Sequence, residues 1–449
     1  MKAPRRSEVL GAVPEEAATL VRAVLKEADA RRLAVYLVGG PVRDLLLGRE
    51  IADVDLIVAE RDGAGAADLA RAAATADLRV SAHDRFSTVS LQRGEVTVDL
   101  ATVRRETYSH DGALPTVEAG TLEEDLRRRD FTVNALALPL SDAARSRHAG
   151  FVDFDEGIAD LEQRRLRVLH SRSFHDDPTR ALRAARLAPR LGFSLSRGSR
   201  SALRDALRDG AFGRVSGDRL RREIVKLFDD AVRGLDPSRA LRLLSEWHVL
   251  GALEPGLTLE RDAVAPLRRL GRSIETPPWR WGRWRPWVSG LSLWLAPAPS
   301  GLRRRVLKRF SVRGEAAKKI DAFAKVRVGW LRDLERARGR GAIDAVLRQL
   351  DEEYLHALFA TATPAWRRRI VRYAAEDRSR RAPVTGDDLM ALGLEGPAVG
   401  RALARIRAAY LDGAVDDRDG ALALARELLR RRGTAKPKPA RRKTPRAGR

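Results

Sequence analysis

The sequence predicts an α+β head followed by an all-helical remainder. Segments of β-branched, partly alternating residues lie among helical segments only within the first 140 or so residues. Beyond about residue 155 Leu/Ala/Arg segments recur at helical spacing and the strand signal fades. The length, 449 residues, gives room for about three domains at typical sizes of ~100–200 residues.

Taken in order, residues 14–31 carry helical spacing with acids first and bases last, which suits the helix dipole. The apolar run Ala34 to Val38 reads as a strand and meets Gly39-Gly40. Pro41 opens the next helix and Gly48 stops it. Asp53 to Val58 is the second strand, Gly63 to Ala76 an Ala-rich helix, and RFSTVSL (85–91) and VTVDLATV (96–103) two further strands. The later helical segments are interrupted near 255, 276–300 and 383. From Arg431 onward the chain is basic, Pro-rich and free of acids, a composition that predicts a disordered tail able to touch phosphates.

With 44% apolar residues the chain is of the globular class, and 85 Lys and Arg against 61 Asp and Glu give a formal charge of +24. Such a charge attracts polyanions, nucleic acid first among them. The absence of cysteine excludes disulfides, thiolate zinc sites and cysteine nucleophiles. The first twenty residues have no apolar h-region, and no stretch approaches the roughly 18 apolar residues of a membrane span, so a cytoplasmic, soluble protein without a membrane partner is expected.

The densest chemistry lies in YLVGGPVRDLLLGREIADVDLIV, residues 36–58. Asp53 and Asp55 are two apart on an expected strand, so both carboxylates leave one face. Carboxylates on an apolar strand cost free energy unless a cation sits between them, and Mg²⁺ takes one or two carboxylates plus phosphate oxygens and water. Asp99, on the neighbouring expected strand, offers a third carboxylate. Gly39 and Gly40 let the backbone approach a triphosphate, with the following helix's N–H groups aimed at it, and Arg43 adds a forked donor. A lone D-x-D is a weak signal that also fits surface aspartates after a glycine turn. G-G-x-V-R-D followed by D-x-D is far more specific.

LVGGPVRDLLLGREIADVDL resembles the first motif of the class II tRNA nucleotidyltransferase and bacterial poly(A) polymerase family, template-independent polymerases of the DNA polymerase β-like superfamily. RRRDFTVNALAL (127–138), DDPTRALRAARLAPRLGF (176–193) and RVSGDRLRREIVKLF (214–228) are similar to its later motifs, in order, over roughly the first 230 residues. The resemblance implies a polymerase β-like nucleotidyltransferase head with a mixed sheet (1–145), then all-α neck (146–230), body (231–345) and tail (346–432), before the basic segment 433–449. It implies Mg²⁺ held by Asp53 and Asp55, CTP and/or ATP as substrates and the 3′ end of tRNA as acceptor. It also implies that Arg129, Asp130 and Asn134 bind the incoming nucleotide, Asp130 at the ribose. A local ion pair of Arg128 or Arg129 with Asp130 is the competing reading of those residues.

In the third motif Asp176 or Asp177 can cap a helix that begins at Pro178, and Asp177, Arg180, Arg183 and Arg186 follow roughly one face. A capped helix with a solvated basic stripe is the bland reading. With the head in place, a carboxylate and a guanidinium match the amino donor and ring-nitrogen acceptor shared by cytosine and adenine, whereas guanine and uracil present the reverse. Asp177 and Arg180 then select C and A without a nucleic-acid template, in line with the family's amino-acid template, and Arg183 and Arg186 lie nearer the phosphates or base. Asp176 departs from the family's usual Glu, one methylene longer, which puts the orientation of Arg180 in question. The segment between Asp99 and Asp130 corresponds to the family's flexible loop.

Five tryptophans mix with arginines in 275–294, where core packing and base stacking are both open. Arginines at 367–381 and 401–406 suit the backbone of a folded RNA. His248 and His356 are the only histidines after residue 175, too few for an added His-Asp phosphohydrolase domain. A poly(A) polymerase with the same head and a catalytically inactive RNA-binding protein are the alternatives. SAHDRFSTVSL (81–91) lacks the Gly-Arg-x-x-Arg-Leu-type segment of the first, and the intact acids argue against the second.

Overall fold

Strand β1 (Ala34–Val38) is buried at all five residues because it runs inside a seven-stranded sheet. In this computed structural model, which describes residues 4–51, 53–83, 88–107, 110, 112, 115–272 and 284–433, the other strands are β2 (Val54–Ala59), β3 (Arg79–His83), β4 (Thr88–Arg93), β5 (Val96–Thr102), β8 (Leu136–Pro139) and β9 (Val152–Asp153). Their order is β3-β4-β5-β2-β1-β8-β9, and β2 and β5 are the parallel pair in an otherwise antiparallel sheet. The sheet is therefore mixed, as expected. β6 (Arg104–Thr107) and β7 (Thr116–Ala119) form a separate antiparallel ribbon.

The register sets the acids side by side. Asp55 on β2 pairs with Asp99 on β5, and Asp99 pairs with Ser90 on β4. Asp53 stands one residue ahead of β2 rather than inside it, a one-residue shift at a strand end. β3, β6 and β7 carry charged residues among few apolar ones, and β8 (LALP) is four uniformly apolar residues, so none announces a strand by alternation. A short parallel pair, 165–166 with 194–195, also lies past the point where the remainder was expected to be wholly helical.

The helices of this part are α1 (Arg6–Gly11), α2 (Glu15–Ala30), α3 (Gly40–Leu46), α4 (Ala66–Ala73), α5 (Leu122–Arg127), α6 (Asp142–Arg147), α7 (Gly157–Glu162), α8 (Ser173–Asp176), α9 (Thr179–Leu191), α10 (Arg197–Arg208) and α11 (Gly217–Asp229). α2, α3 and α4 sit close to the positions read from the sequence. One compact unit comprises residues 1–227, 238–259 and 304–312. The second comprises 228–237, 260–303 and 313–449, and its described residues form helices throughout, apart from their connections.

Within the second unit Trp294 is 1% exposed and Trp284 stacks on His356, its indole N–H donating to Ser289 Oγ. Burial of these two favours the core reading, Trp287 is half-buried, and Trp279 and Trp281 lie outside the described residues, as does the segment 434–449. A hydrophobic cluster from Leu334 to Tyr373 runs across residue 345, where body and tail were expected to part, and another from Val384 to Ala425 follows it. Arg368, Arg369, Arg401 and Arg405 are exposed, with Arg369 over the Trp366 ring, whereas Arg407 and Arg340 are tied to Asp344 and Asp377. No helix among the described residues is long and apolar enough to cross a membrane.

The 3₁₀ turn Thr132–Asn134, which leads into β8, is pinned from beneath. Buried Asp160 on α7 accepts from Thr132 Oγ1 at 2.6 Å and from Arg167 Nε at 2.8 Å, and Thr132 N–H donates to the Arg167 carbonyl. Gly157 opens α7 directly below, where an added Cβ would stand 2.3 Å from the Thr132 carbonyl oxygen. Gly157→Ala is therefore expected to destabilise the protein by about 1–3 kcal/mol in denaturant unfolding, since a backbone atom rather than a flexible side chain must yield.

Candidate active site

Gly39 turns from β1 into α3 with φ +75°, a conformation that favours glycine, and a Cβ there would lie 2.8 Å from Arg129 Nη1. The backbone at this turn is thus open to a guanidinium, and Gly40 begins the helix. Arg43, buried at 4% exposure, points its fork at its neighbour: Nε and Nη2 donate to the two carboxylate oxygens of Asp44 at 2.9 and 2.8 Å, and Nη1 donates to Asn134 Oδ1 at 2.6 Å. Three of its five N–H donors are used inside the protein, leaving two for a phosphate.

Asn134 passes this contact on, its amide donating to Asp130 Oδ1 at 2.9 Å, where Phe131 N–H also donates. The competing ion-pair reading fails in its partner. Arg128 and Arg129 bond not to Asp130 but to Asp125 of α5, fully buried, whose Oδ1 takes Arg128 and whose Oδ2 takes Arg129 at 3.1 Å. Arg128 also reaches Glu106 on β6 at 2.9 Å. The Arg129 Nε is buried without a hydrogen-bond partner, a donor left for an anion.

On the helical side, Asp177 rather than Asp176 meets the first turn of α9, whose N-cap is Pro178. The Asp177 Oδ1 accepts from the Thr179 N–H at 2.9 Å and from the Thr179 hydroxyl, and Arg219 of α11 closes on the same oxygen at 2.7 Å. Arg180, 3% exposed, donates through Nη2 to the Arg128 carbonyl at 2.7 Å and through Nη1 to Ser173 Oγ. Asp176 stands 3.7 Å from His170, so Ser173 and a backbone carbonyl, not the residue at the family's Glu position, orient Arg180 here. Arg183 lies within 3.5 Å of Asp130, 3.7 Å of Asp177 and 3.5 Å of Glu223, and Arg186 within 3.4 Å of Glu223.

These side chains line one cavity of about 550 Å³: Gly39, Gly40, Arg43, Arg129, Asp130, Asn134, Asp177, Arg180, Arg183 and Arg186 all face it. Nine arginines and Lys226 stand there against Glu106, Asp130, Asp177 and Glu223, so the lining carries six surplus positive charges, a strong attractor for a polyphosphate. Burial alone would raise the carboxyls of Asp130 and Asp177, but Arg183, with Asn134 at the first and Arg219 and Thr179 at the second, holds both below their ordinary value. Both are therefore acceptors at neutral pH.

Asp53, Asp55 and Asp99 are not part of that lining. Asp53 is exposed and Asp55 and Asp99 half-buried, with Asp99 Oδ1 accepting from the Ser90 hydroxyl. Burial, aided by the charges of Asp99 and Asp53 and opposed by Arg129, pushes the Asp55 carboxyl up to about 6. Arg129 thus links this acid group to the cavity. The residues here fit a divalent metal ion. Adjacent carboxylates, with the Asp55 carboxyl pushed up by burial and by the charges beside it, are a hard-oxygen donor set short of positive charge. Among the described residues no three His, Cys, Asp or Glu side chains form an all-protein cage, as suits a cation that takes its other oxygens from phosphate and water.

A carboxyl raised from 3.8 to about 6 on folding stabilises fully below its unfolded value and loses that contribution as pH rises through 6. Asp55→Asn should therefore raise stability at pH 8, without divalent cation, by about 1–2 kcal/mol, and change it little near pH 4. Denaturant unfolding at the two pH values checks this, and added Mg²⁺ should stabilise the native sequence but not the variant.

Sequence reasoning missed Asp125, Ser173, Arg219 and Glu223. Arg219, Glu223 and Lys226 recur at helical spacing on one face of RVSGDRLRREIVKLF, a signal that was available, whereas Asp125 sits in an acidic turn that looks like ordinary helix-start chemistry.

The fold and the cavity together define a nucleotidyltransferase head: the family described as Poly A polymerase head domain matches residues 35–167. The chain belongs to the tRNA nucleotidyltransferase family. It is 33% identical over 386 residues to the CC-adding tRNA nucleotidyltransferase of Deinococcus radiodurans, covering 85% of this chain and 86% of that one. It is 31% identical over 451 residues to the A-adding tRNA nucleotidyltransferase of Geobacter sulfurreducens, spanning 94% of this chain but only 49% of that relative's length. The solved Thermotoga maritima CCA-adding enzyme complexed with tRNA-CCA superposes with a TM-score of 0.69 at 26% identity, over 96% of this chain and all of that one.

Proposed function

We propose that the chain is a Mg²⁺-dependent nucleotidyltransferase that adds C, A or both from CTP and ATP to the 3′ end of tRNA, in the cytoplasm. The observation that carries this reading is the pairing of buried Asp177 and Arg180 in the cavity that Gly39, Gly40 and Asp130 share. An ionised carboxylate beside a guanidinium offers one acceptor and a set of donors, the complement of the edge that cytosine and adenine have in common. Relatives named for adding A, CC and CCA support the same substrates.

In this reading the triphosphate lies along the basic wall, with Arg129 and the two remaining donors of Arg43 toward the Gly39 turn. Asp130 accepts a ribose hydroxyl, which favours NTP over dNTP. Asp53 and Asp55 hold Mg²⁺, with Asp99 beside Asp55, and the ion when bound supplies charge for the α-phosphate and the departing pyrophosphate. The RNA 3′ hydroxyl gives up its proton to water and attacks the α-phosphorus, one P–O bond forms, the bond from the α-phosphorus to the oxygen of the β-phosphate breaks, and pyrophosphate leaves with the nucleotide joined to the RNA. The exposed arginines at 368, 369, 401 and 405 meet the tRNA backbone, in keeping with the proposed head, neck, body and tail division.

The test is extension of tRNA transcripts lacking CCA, ending in C or ending in CC, with CTP and ATP offered singly and together. The reading expects growth from at least one end and no use of UTP or GTP. Extension of all three to CCA marks a complete enzyme, growth to CC or from CC to CCA a partial one. Long A tails would move the chain to the poly(A) branch, and no incorporation would sink the reading. Asp55→Asn should lower the extension rate by roughly 10²–10³-fold while the folded protein still binds tRNA.

A further inference from the structure

Asp177 has two oxygens, and the fold treats them unequally. Oδ1 takes the Thr179 N–H, the Thr179 hydroxyl and the Arg219 Nη2, whereas Oδ2 has no hydrogen bond among the described residues, its nearest cation being Arg183 at 3.7 Å. A carboxylate oxygen with three donors has little capacity for another. One oxygen is therefore left to meet a ligand. Arg219 is itself fixed from the far side, its Nη1 donating at 2.9 Å to the carbonyl of Gly112, whose own N–H donates to the His175 carbonyl. It is 15% exposed at the side chain and faces the cavity.

We propose that Arg219 is a specificity-determining positioning residue: by closing on Asp177 Oδ1 together with Thr179, it leaves Oδ2 as the single acceptor shown to the base. This deepens the functional reading above and rests on it. Without the hold of Arg219 the carboxylate can turn, and the acceptor that tells the amino group of cytosine or adenine from the carbonyl of uracil or guanine is no longer fixed. The charges that face Asp177 are Arg180 and Arg183 from α9 and Arg219 from α11, while Asp130 and Glu223 share Arg183 with it. Arg219 is thus the cation that stands directly on Asp177 Oδ1, at 2.7 Å.

The test compares Arg219→Gln, Arg219→Lys and Thr179→Val with the native enzyme, checked for folding by thermal melting. Two readouts are taken: kcat/KM for CTP, ATP, UTP and GTP on the tRNA ends that the native enzyme extends, and equilibrium binding of CTP against UTP without RNA. Arg219→Gln should raise UTP and GTP use relative to CTP by about tenfold or more, with KM changing more than kcat. Arg219→Lys should restore part of the selectivity, and Thr179→Val should shift selectivity in the same direction as Arg219→Gln by less. A folded Arg219→Gln that loses rate with its selectivity unchanged overturns the proposal, as does unchanged selectivity in both Arg219→Lys and Thr179→Val if that variant does not fold. A native protein that prefers CTP over UTP in binding but transfers nothing would contradict the polymerase reading, while the variants' binding preference would still decide the role of Arg219.

Discussion

One guanidinium holds the cavity together. Arg183 lies between Asp130, Asp177 and Glu223, all within 3.7 Å, and joins the turn that follows α5 to two helices of the same unit. Two carboxylates buried this deeply would take up protons if left alone. Instead both are held below their ordinary value, and Arg183 is the largest opposing influence on each. Removing one member of such a set strands the others, which costs far more than the set contributes relative to an apolar core. The arrangement therefore serves chemistry, since an acceptor that never becomes a donor is what base and ribose recognition needs.

A chain of the same kind runs along the other wall. Glu106, Arg128, Asp125 and Arg129 alternate in charge, and Arg129 ends between the Gly39 turn and Asp55. Arg128 and Arg129 are both paired with Asp125, which takes one on each oxygen. The acid pair and the phosphate turn are thus coupled through one side chain.

Much of this was legible in the sequence. The glycine turn, β1, β2, β5 and the motif arginines stand close to where their pattern put them, because apolar runs bounded by glycine and proline leave few alternatives. The convergence of Asp130, Asn134, Asp177 and Arg180 on one cavity followed from motif resemblance and not from spacing. Three things were not legible. β8 is too short and too uniformly apolar to show a period. Ser173 acts on Arg180 of another helix, which no local pattern reports, and Asp125, although only three and four residues from Arg128 and Arg129, sits among the acids of a helix start and looks like one of them. The shorter Asp176 left the hold on Arg180 in question, and it comes from Ser173 and the Arg128 carbonyl, partners that only packing reveals.

The central claim is that the cavity's two reading carboxylates stay ionised while buried. Carbon-13 NMR titration of the Asp130 and Asp177 carboxyl groups, assigned with Asp→Asn variants, tests it directly. The account predicts that both titrate below the ordinary value of 3.8 and that Arg183→Met moves both upward. A carboxyl at either position that titrates at or above that value in the native protein would contradict it.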